Sequence, residues 1–256
     1  MARTTRAWVA AGTALLVAGL ALSVPAPANA GGVPCAGMDA PQLLTPGNTA
    51  PTPQADTTSA IAGGTRIVKV LANDTDPQGD PLYVVSVSGA RNGEVCIDSD
   101  GALEYFAGPS ASNYVEHLTY GVTDGDLYRT TTVTVNVKGV KPLRAQLLHR
   151  KSGKRKAEIR FTNPNDRNMS VLAGTPKKRK ALLTRTIAPG RTVGFKTKYK
   201  RIVFFALVRD TDGLPILVDI GNLNTRTGAQ SISSGAGGFL RQHPSVRALQ
   251  RAWLGK

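Results

Sequence analysis

The chain has 256 residues, with 32 Lys and Arg against 17 Asp and Glu, 3 His and 2 Cys. That length allows two domains of ordinary size, and two cysteines with no histidine or second cysteine at metal spacing exclude a disulfide-dense scaffold and a zinc site. A formal net charge of +15 speaks for a polyanionic partner and says nothing of the fold.

In chain order, Arg3 and Arg6 precede an apolar run over residues 8–24, and Ala28-Asn29-Ala30 supplies the small residues of a cleavage site. Residues 1–30 therefore read as a secretory signal peptide, and no later run approaches that length. Residues 31–59, rich in Pro, Thr, Ala and Gly, read as an extended arm. Export allows a disulfide to persist, and a bridge from Cys35 in the arm to Cys96 would close a loop of about sixty residues, worth roughly 4 kcal/mol. In Val95-Cys96-Ile97 the alternation puts Cys96 on the face opposite Val95 and Ile97, which is outward if the two aliphatics face the core. Two free thiols are the alternative.

Short alternating runs follow at 65–71, 82–88, 93–98, 102–107, 116–123 and 128–138, the spacing of an all-β sandwich over residues 60–140. In the last run Val133, Val135 and Val137 alternate with Thr132, Thr134 and Asn136, so one face is buried and one is wet. Asp98-Ser99-Asp100-Gly101 reads as a hairpin connection. Between the first two runs, Asn73, Asp74, Asp76 and Asp80 offer oxygen atoms of the kind a hard cation takes, and Asp124 and Asp126 stand in a second turn. The same residues are ordinary turn formers, and the pattern alone leaves both readings open.

Three motifs in order carry a resemblance. They are Val70-Leu71-Ala72-Asn73-Asp74-Thr75-Asp76-Pro77-Gln78-Gly79-Asp80-Pro81-Leu82, then Asn92-Gly93-Glu94-Val95 with Asp100-Gly101 and Tyr105, then Tyr120-Gly121-Val122-Thr123-Asp124-Gly125. Residues 51–140 resemble the bacterial Ig-like, cadherin-like (VCBS-like) modules that repeat in large surface proteins. The resemblance implies an extracellular β-sandwich and a calcium ion at the end loops, held by Asn73, Asp74, Asp76, Asp80, Asp124 and Asp126. Gln78 stands where that pattern carries an acid, which removes one ligand.

Charge divides the chain. Residues 31–143 carry 6 Lys and Arg against 12 Asp and Glu, whereas residues 144–256 carry 24 against 5. Such asymmetry predicts two modules with different partners, meeting at residues 139–143. In the basic half, runs at 157–161, 169–172, 182–187, 192–197, 202–208 and 214–220 predict a second sandwich over residues 144–230. Asn163-Pro164-Asn165 and Ile187-Ala188-Pro189-Gly190 resemble the turns of Ig-like sandwiches in secreted bacterial proteins. Residues 231–256 read as a Ser/Gly linker and a short amphipathic helix, with Val246, Leu249 and Trp253 on one face; peripheral membrane contact is one use for it. The predicted fold class is thus all-β, two consecutive antiparallel Ig-like β-sandwiches with a short C-terminal helix.

Three basic clusters sit near strand ends: Arg150, Lys151, Lys154, Arg155 and Lys156; Lys177, Lys178, Arg179 and Lys180; Lys196, Lys198, Lys200 and Arg201. Converging on one rim, they would attract an anionic cell-envelope polymer or another acidic surface. No dedicated nucleic-acid module is present. Catalytic signatures are missing: His117, His149 and His243 fall in no metal spacing, there is no G-x-S-x-G elbow, and Asp210 with Asp212 reads as a turn. The sequence therefore predicts a secreted, cell-wall-associated, non-enzymatic binding or adhesion protein. The alternatives are an accessory extracellular enzyme or carbohydrate-active module, and a structural spacer.

Overall fold

The computed structural model describes residues 46–148, 157–175 and 181–234. The expected signal peptide, Cys35, the basic clusters at 150–156 and 177–180 and the C-terminal helix lie outside the described residues.

The acidic half forms β1 (Asp56–Ile61), β2 (Thr65–Val68), a 3-10 turn at Val70–Ala72, β3 (Tyr83–Ser88), β4 (Gly93–Ile97), β5 (Leu103–Ala107), β6 (Tyr114–Thr123) and β7 (Tyr128–Lys138). They make two sheets, β1-β7-β6-β3 and β2-β5-β4. Alternation decides what is buried: Val133, Val135 and Val137 of β7 and Leu118, Tyr120 and Val122 of β6 all face the core. Each such side chain contributes about 1.5–3 kcal/mol by leaving water. The sheets meet across that core, where the Tyr105 hydroxyl of β5 donates to Glu116 of β6 at 3.2 Å.

Two expectations are corrected in this half. The end of the arm is not a loose extension, because residues 56–61 form β1 and pair with β7 in parallel, Asp56 opposite Val133 through Ile61 opposite Lys138. Every other strand pair among the described residues is antiparallel, so the sheet is mixed rather than wholly antiparallel. β1 can lie parallel because it reaches β7 from the far end of the domain and needs no hairpin to it. The first predicted run also ends early, at Val68, where the chain tightens into the 3-10 turn and buries Val70. Cys96 stands opposite Glu104 on the face away from the core residues Val95 and Ile97, as expected, and there it is covered and disulfide-bonded.

The basic half forms β8 (Arg144–Leu148), β9 (Ala157–Thr162), β10 (Met169–Gly174), β11 (Leu183–Ile187), β12 (Thr192–Thr197), β13 (Arg201–Arg209), β14 (Pro215–Asn224) and β15 (Gln230–Ser234). Its sheets are β12-β9-β8 and β11-β10-β13-β14-β15. Phe161 of β9 joins them, its ring 5.0 Å from Phe204 of β13 at 56° and 6.0 Å from Phe195 of β12. β8 and β15 were not expected as strands. β15 occupies part of the predicted Ser/Gly linker and is held by its ladder to β14, from Asp219 opposite Ser234 to Leu223 opposite Gln230.

No strand of one half pairs with a strand of the other among the described residues, yet the halves touch. The Asn165 side chain accepts from the Lys141 N–H at 2.7 Å and donates to the Lys141 carbonyl at 3.0 Å. The buried Asp219 carboxyl accepts the Leu143 N–H. Arg66 of β2 pairs with Asp212 in the β13–β14 turn at 3.0 Å. Gly64 makes that approach feasible, since a β-carbon there would lie 2.8 Å from Ile216 Cδ1 and 2.9 Å from Asp210 Cβ.

Candidate functional site

The acidic loop residues are used mainly as turn locks. Asp76 Oδ1 accepts the N–H groups of Gln78 and Asp80, Asp98 Oδ1 those of Asp100 and Ala102, and Asp210 Oδ1 those of Asp212 and Leu214. In each case a glycine three residues after the aspartate, Gly79, Gly101 or Gly213, has a φ between 76° and 80°. The Asp side chain replaces a backbone acceptor while glycine supplies the left-handed residue. The same D-x-x-G signature therefore builds three turns, and Asp210 and Asp212 belong to one of them rather than to a catalytic pair.

Asp124 is 1% exposed. Its Oδ1 accepts the N–H groups of Asp126 and Leu127, and its Oδ2 the amide of Asn48. Burial pushes its carboxyl up, but the backbone donors of Leu127 and Asp126 and the Asn48 amide together outweigh burial and hold it below the usual carboxylate range.

Asp74 belongs to a different cluster. The hydroxyl of Tyr120, a fully buried side chain, lies within 3.1–3.3 Å of Asp56 Oδ2, both oxygens of Asp74 and the carbonyls of Gln54 and Val70. One proton serves five acceptor atoms. Burial raises the Asp56 carboxyl, Tyr120 lowers it, the Asp74 charge raises it and Asn73 lowers it; the balance stands above the ordinary value. Burial, followed by the two carboxylates, drives the Tyr120 hydroxyl well above its ordinary range.

The sign of the pH effect follows. A carboxyl raised in the folded state holds its proton more tightly there than in the unfolded chain, so Asp56 favours folding as pH falls through its folded value and opposes it above. Asp124, lowered, does the reverse, contributing stability above 3.8 that is lost on acidification. Asp56→Asn is accordingly expected to raise Tm at neutral pH, by an amount that shrinks as the medium is acidified, as thermal melts over a pH series would read. A variant that melts below wild type at neutral pH would show that the Asp56 charge stabilises this cluster.

Among the described residues no group of three or more His, Cys, Asp or Glu side chains is placed to hold a metal ion. Two shielded oxygens, Asn48 Oδ1 and Asp76 Oδ2, accept no hydrogen bond.

Of the basic residues, Lys196, Lys198, Lys200 and Arg201 are exposed at the end of the second half remote from the first. Contacts define that rim. Thr225, in the β14–β15 turn, donates to the Lys200 carbonyl at 2.8 Å through its N–H and to the Tyr199 carbonyl at 2.7 Å through its hydroxyl. Leu182, which leads into β11, shares a small cavity of about 250 Å³ with Lys196, Lys198 and Tyr199. Leu148 and Ala157, from which residues 149–156 depart, stand in register beside Glu158 and Thr197. Gly174, just before residues 176–180, pairs with Val203 near the start of β13. The strand ends that flank both remaining clusters thus belong to this rim, together with the exposed Arg226.

Sequence reading missed the Tyr120 cluster and Glu116, a carboxyl 2% exposed that accepts from Arg91 N, Asn92 N and the Tyr105 hydroxyl. The available signal for the latter was an acidic residue at a core position of an alternating strand.

The fold is all-β, with facing sheets and Ig-like patterning. Residues 48–138 match the family model of the bacterial Ig domain, and this part of the chain is such a domain. No curated protein matches the chain. Among solved structures it is similar to the YadV chaperone, at 13% identity over 68% of this chain and 98% of that one, TM-score 0.22. An endo-fucoidan hydrolase of glycoside hydrolase family 107 gives 16% identity over 70% of this chain and 29% of that one, TM-score 0.30. The Escherichia coli chaperone DraB gives 8% over 73% and 98%, TM-score 0.21. At these values none of the three bears on what this chain does. Among the described residues no helix is long and apolar enough to cross a membrane.

Proposed function

We propose that the protein is a secreted, non-enzymatic binding protein of the bacterial cell envelope, whose basic half attaches to an anionic polymer while the acidic Ig domain points away. In this reading the two halves are separate β-sandwich modules, and Cys35 pairs with Cys96 after export. One observation supports it above the others. In the second half every acid is already used, Asp210 and Asp219 by burial and Glu158, Asp166 and Asp212 by ion pairs with Arg160, Arg167 and Arg66. Lys196, Lys198, Lys200, Arg201 and Arg226 on the rim have no acidic partner within 4.0 Å among the described residues. Like charges so gathered repel one another over a Debye length of about 8–10 Å, and a polyanion relieves that repulsion while releasing its own counterions.

The test is co-sedimentation with purified cell-wall sacculi, with and without their anionic polymers, across a salt series. Pelleting is expected to need the polymers, to fall steeply with salt, and to weaken with a shallower salt dependence when Lys198, Lys200 and Arg201 are replaced by serine. A chelator should leave it unchanged. Pelleting indifferent to salt would refute electrostatic attachment.

A further inference from the structure

The outer face of the three-stranded sheet β12-β9-β8 carries a shallow groove of about 820 Å³, within the size range of ligand clefts, about 300–1,000 Å³. Register makes it a regular array. Gln146, Arg160 and Gly194 stand side by side in one row, Glu158 and Lys196 in the next, and Thr162 and Thr192 in the row on the other side. Thr162 and Thr192 share a hydroxyl hydrogen bond of 2.7 Å, and Arg160 Nε lies 3.3 Å from Glu158 Oε1.

Gly194 lines this groove, and its place in the strand does not require glycine. A β-carbon there would make only ordinary contacts, 3.5 Å from the Ile159 carbonyl oxygen and 3.6 Å from Arg160 Cγ, and its φ lies outside the left-handed region. Three other strand glycines differ. A β-carbon at Gly93 would lie 2.9 Å from the Tyr105 ring, at Gly121 2.5 Å from Ser86 Oγ, and at Gly221 2.5 Å from Phe204 Cε1. Glycine within a strand gives up backbone entropy and side-chain packing, a cost that is retained where another group must approach the backbone. Among the described residues no group does so at Gly194.

We propose that this groove binds a segment of an acidic polysaccharide, a chain of uronate-like sugars lying over Gly194. The guanidinium of Arg160 offers a planar fork matched to a carboxylate, and Lys196 adds a second cation. Glu158 can only accept in its ionised form, Gln146 both donates and accepts, and the threonine hydroxyls do likewise. This set suits a ligand that has hydroxyl donors as well as negative charge. A bare polyphosphate would meet repulsion at Glu158. The groove is distinct from the rim and shares only Lys196 with it.

The experiment is calorimetric titration of the mature protein with oligogalacturonate, with a neutral galactose oligomer and with polyphosphate, for wild type, Gly194→Leu and Arg160→Gln. Wild type is expected to bind the uronate well above the neutral oligomer. Gly194→Leu should lower that affinity at least tenfold while melting at the same temperature as wild type or higher, and Arg160→Gln should lower it several-fold. Uronate binding unchanged in Gly194→Leu, or absent from wild type, overturns the proposal. Replacing Lys198, Lys200 and Arg201 separates it from rim attachment, since that variant should weaken sacculus pelleting and leave uronate affinity unchanged. Wild type that pellets with sacculi but ignores uronate leaves the rim standing and removes the groove.

Discussion

Replacing Glu116 with alanine is expected to lower the unfolding free energy by about 3–5 kcal/mol, one of the largest single losses available in the Ig domain. Its carboxyl collects the Arg91 N–H at 3.0 Å, the Asn92 N–H at 2.8 Å and the Tyr105 hydroxyl at 3.2 Å. A buried donor left without an acceptor costs about 1–3 kcal/mol, and alanine takes the shared acceptor from two half-buried N–H groups and from the buried Tyr105 hydroxyl, which keeps only Tyr114 at 3.4 Å. The consequence is also local. Gly93 follows these donors, and Tyr105 packs so closely over it that a β-carbon would lie 2.9 Å from the ring and from its hydroxyl. Glu116 therefore pins the β3–β4 connection and the aromatic that covers it. Glu116→Gln keeps one acceptor and should lose about 1–3 kcal/mol. Urea unfolding followed by circular dichroism reads both variants from the midpoint at unchanged m. A loss under about 1 kcal/mol for alanine would mean that water replaces the carboxyl and that the connection stands without it.

Glu116 also shows where sequence reading ran out. Its strand was legible because Leu118, Tyr120 and Val122 alternate with polar residues, and β7 was legible for the same reason. β1 was not, since Asp56-Thr57-Thr58-Ser59-Ala60 has no large apolar residue and its ladder is made with a strand more than seventy residues away. β8 and β15 escaped similarly, one at the charge boundary and one within a Ser-rich run. The turns were readable as turns, but whether Asp74 met a cation or Tyr120 depended on which hydroxyl the opposite strand would bring. Basic residues could be counted, whereas which described strand ends lie beside Lys196, Lys198, Lys200 and Arg201 depended on register. The groove was invisible for a plainer reason: Gln146, Arg160 and Gly194 become neighbours only through register.

The second large effect concerns Gly221 and Phe204, partners across β13 and β14. Phe204 is fully buried, and its ring lies flat enough over Gly221 that a β-carbon would penetrate it, with Cε1 at 2.5 Å and Cε2 at 2.6 Å. The ring has no room to retreat, because Phe161 stands 5.0 Å away from it and is itself held against Phe195. Gly221→Val should therefore cost about 3 kcal/mol, at the upper end of ordinary overpacking. Phe204→Ala should cost about 3–5 kcal/mol through lost burial and the cavity left behind. The double variant discriminates. If the ring is what excludes the β-carbon, valine enters the space that phenylalanine leaves, and the pair should be less destabilised than the sum of the singles by about 1–3 kcal/mol. Additive losses would mean that valine strains the β14 backbone directly and that the ring only happens to cover it. Gly194→Leu serves as the internal control: it too adds a side chain to a strand glycine of the same half, but over a groove with no ring above it, and its Tm should not fall.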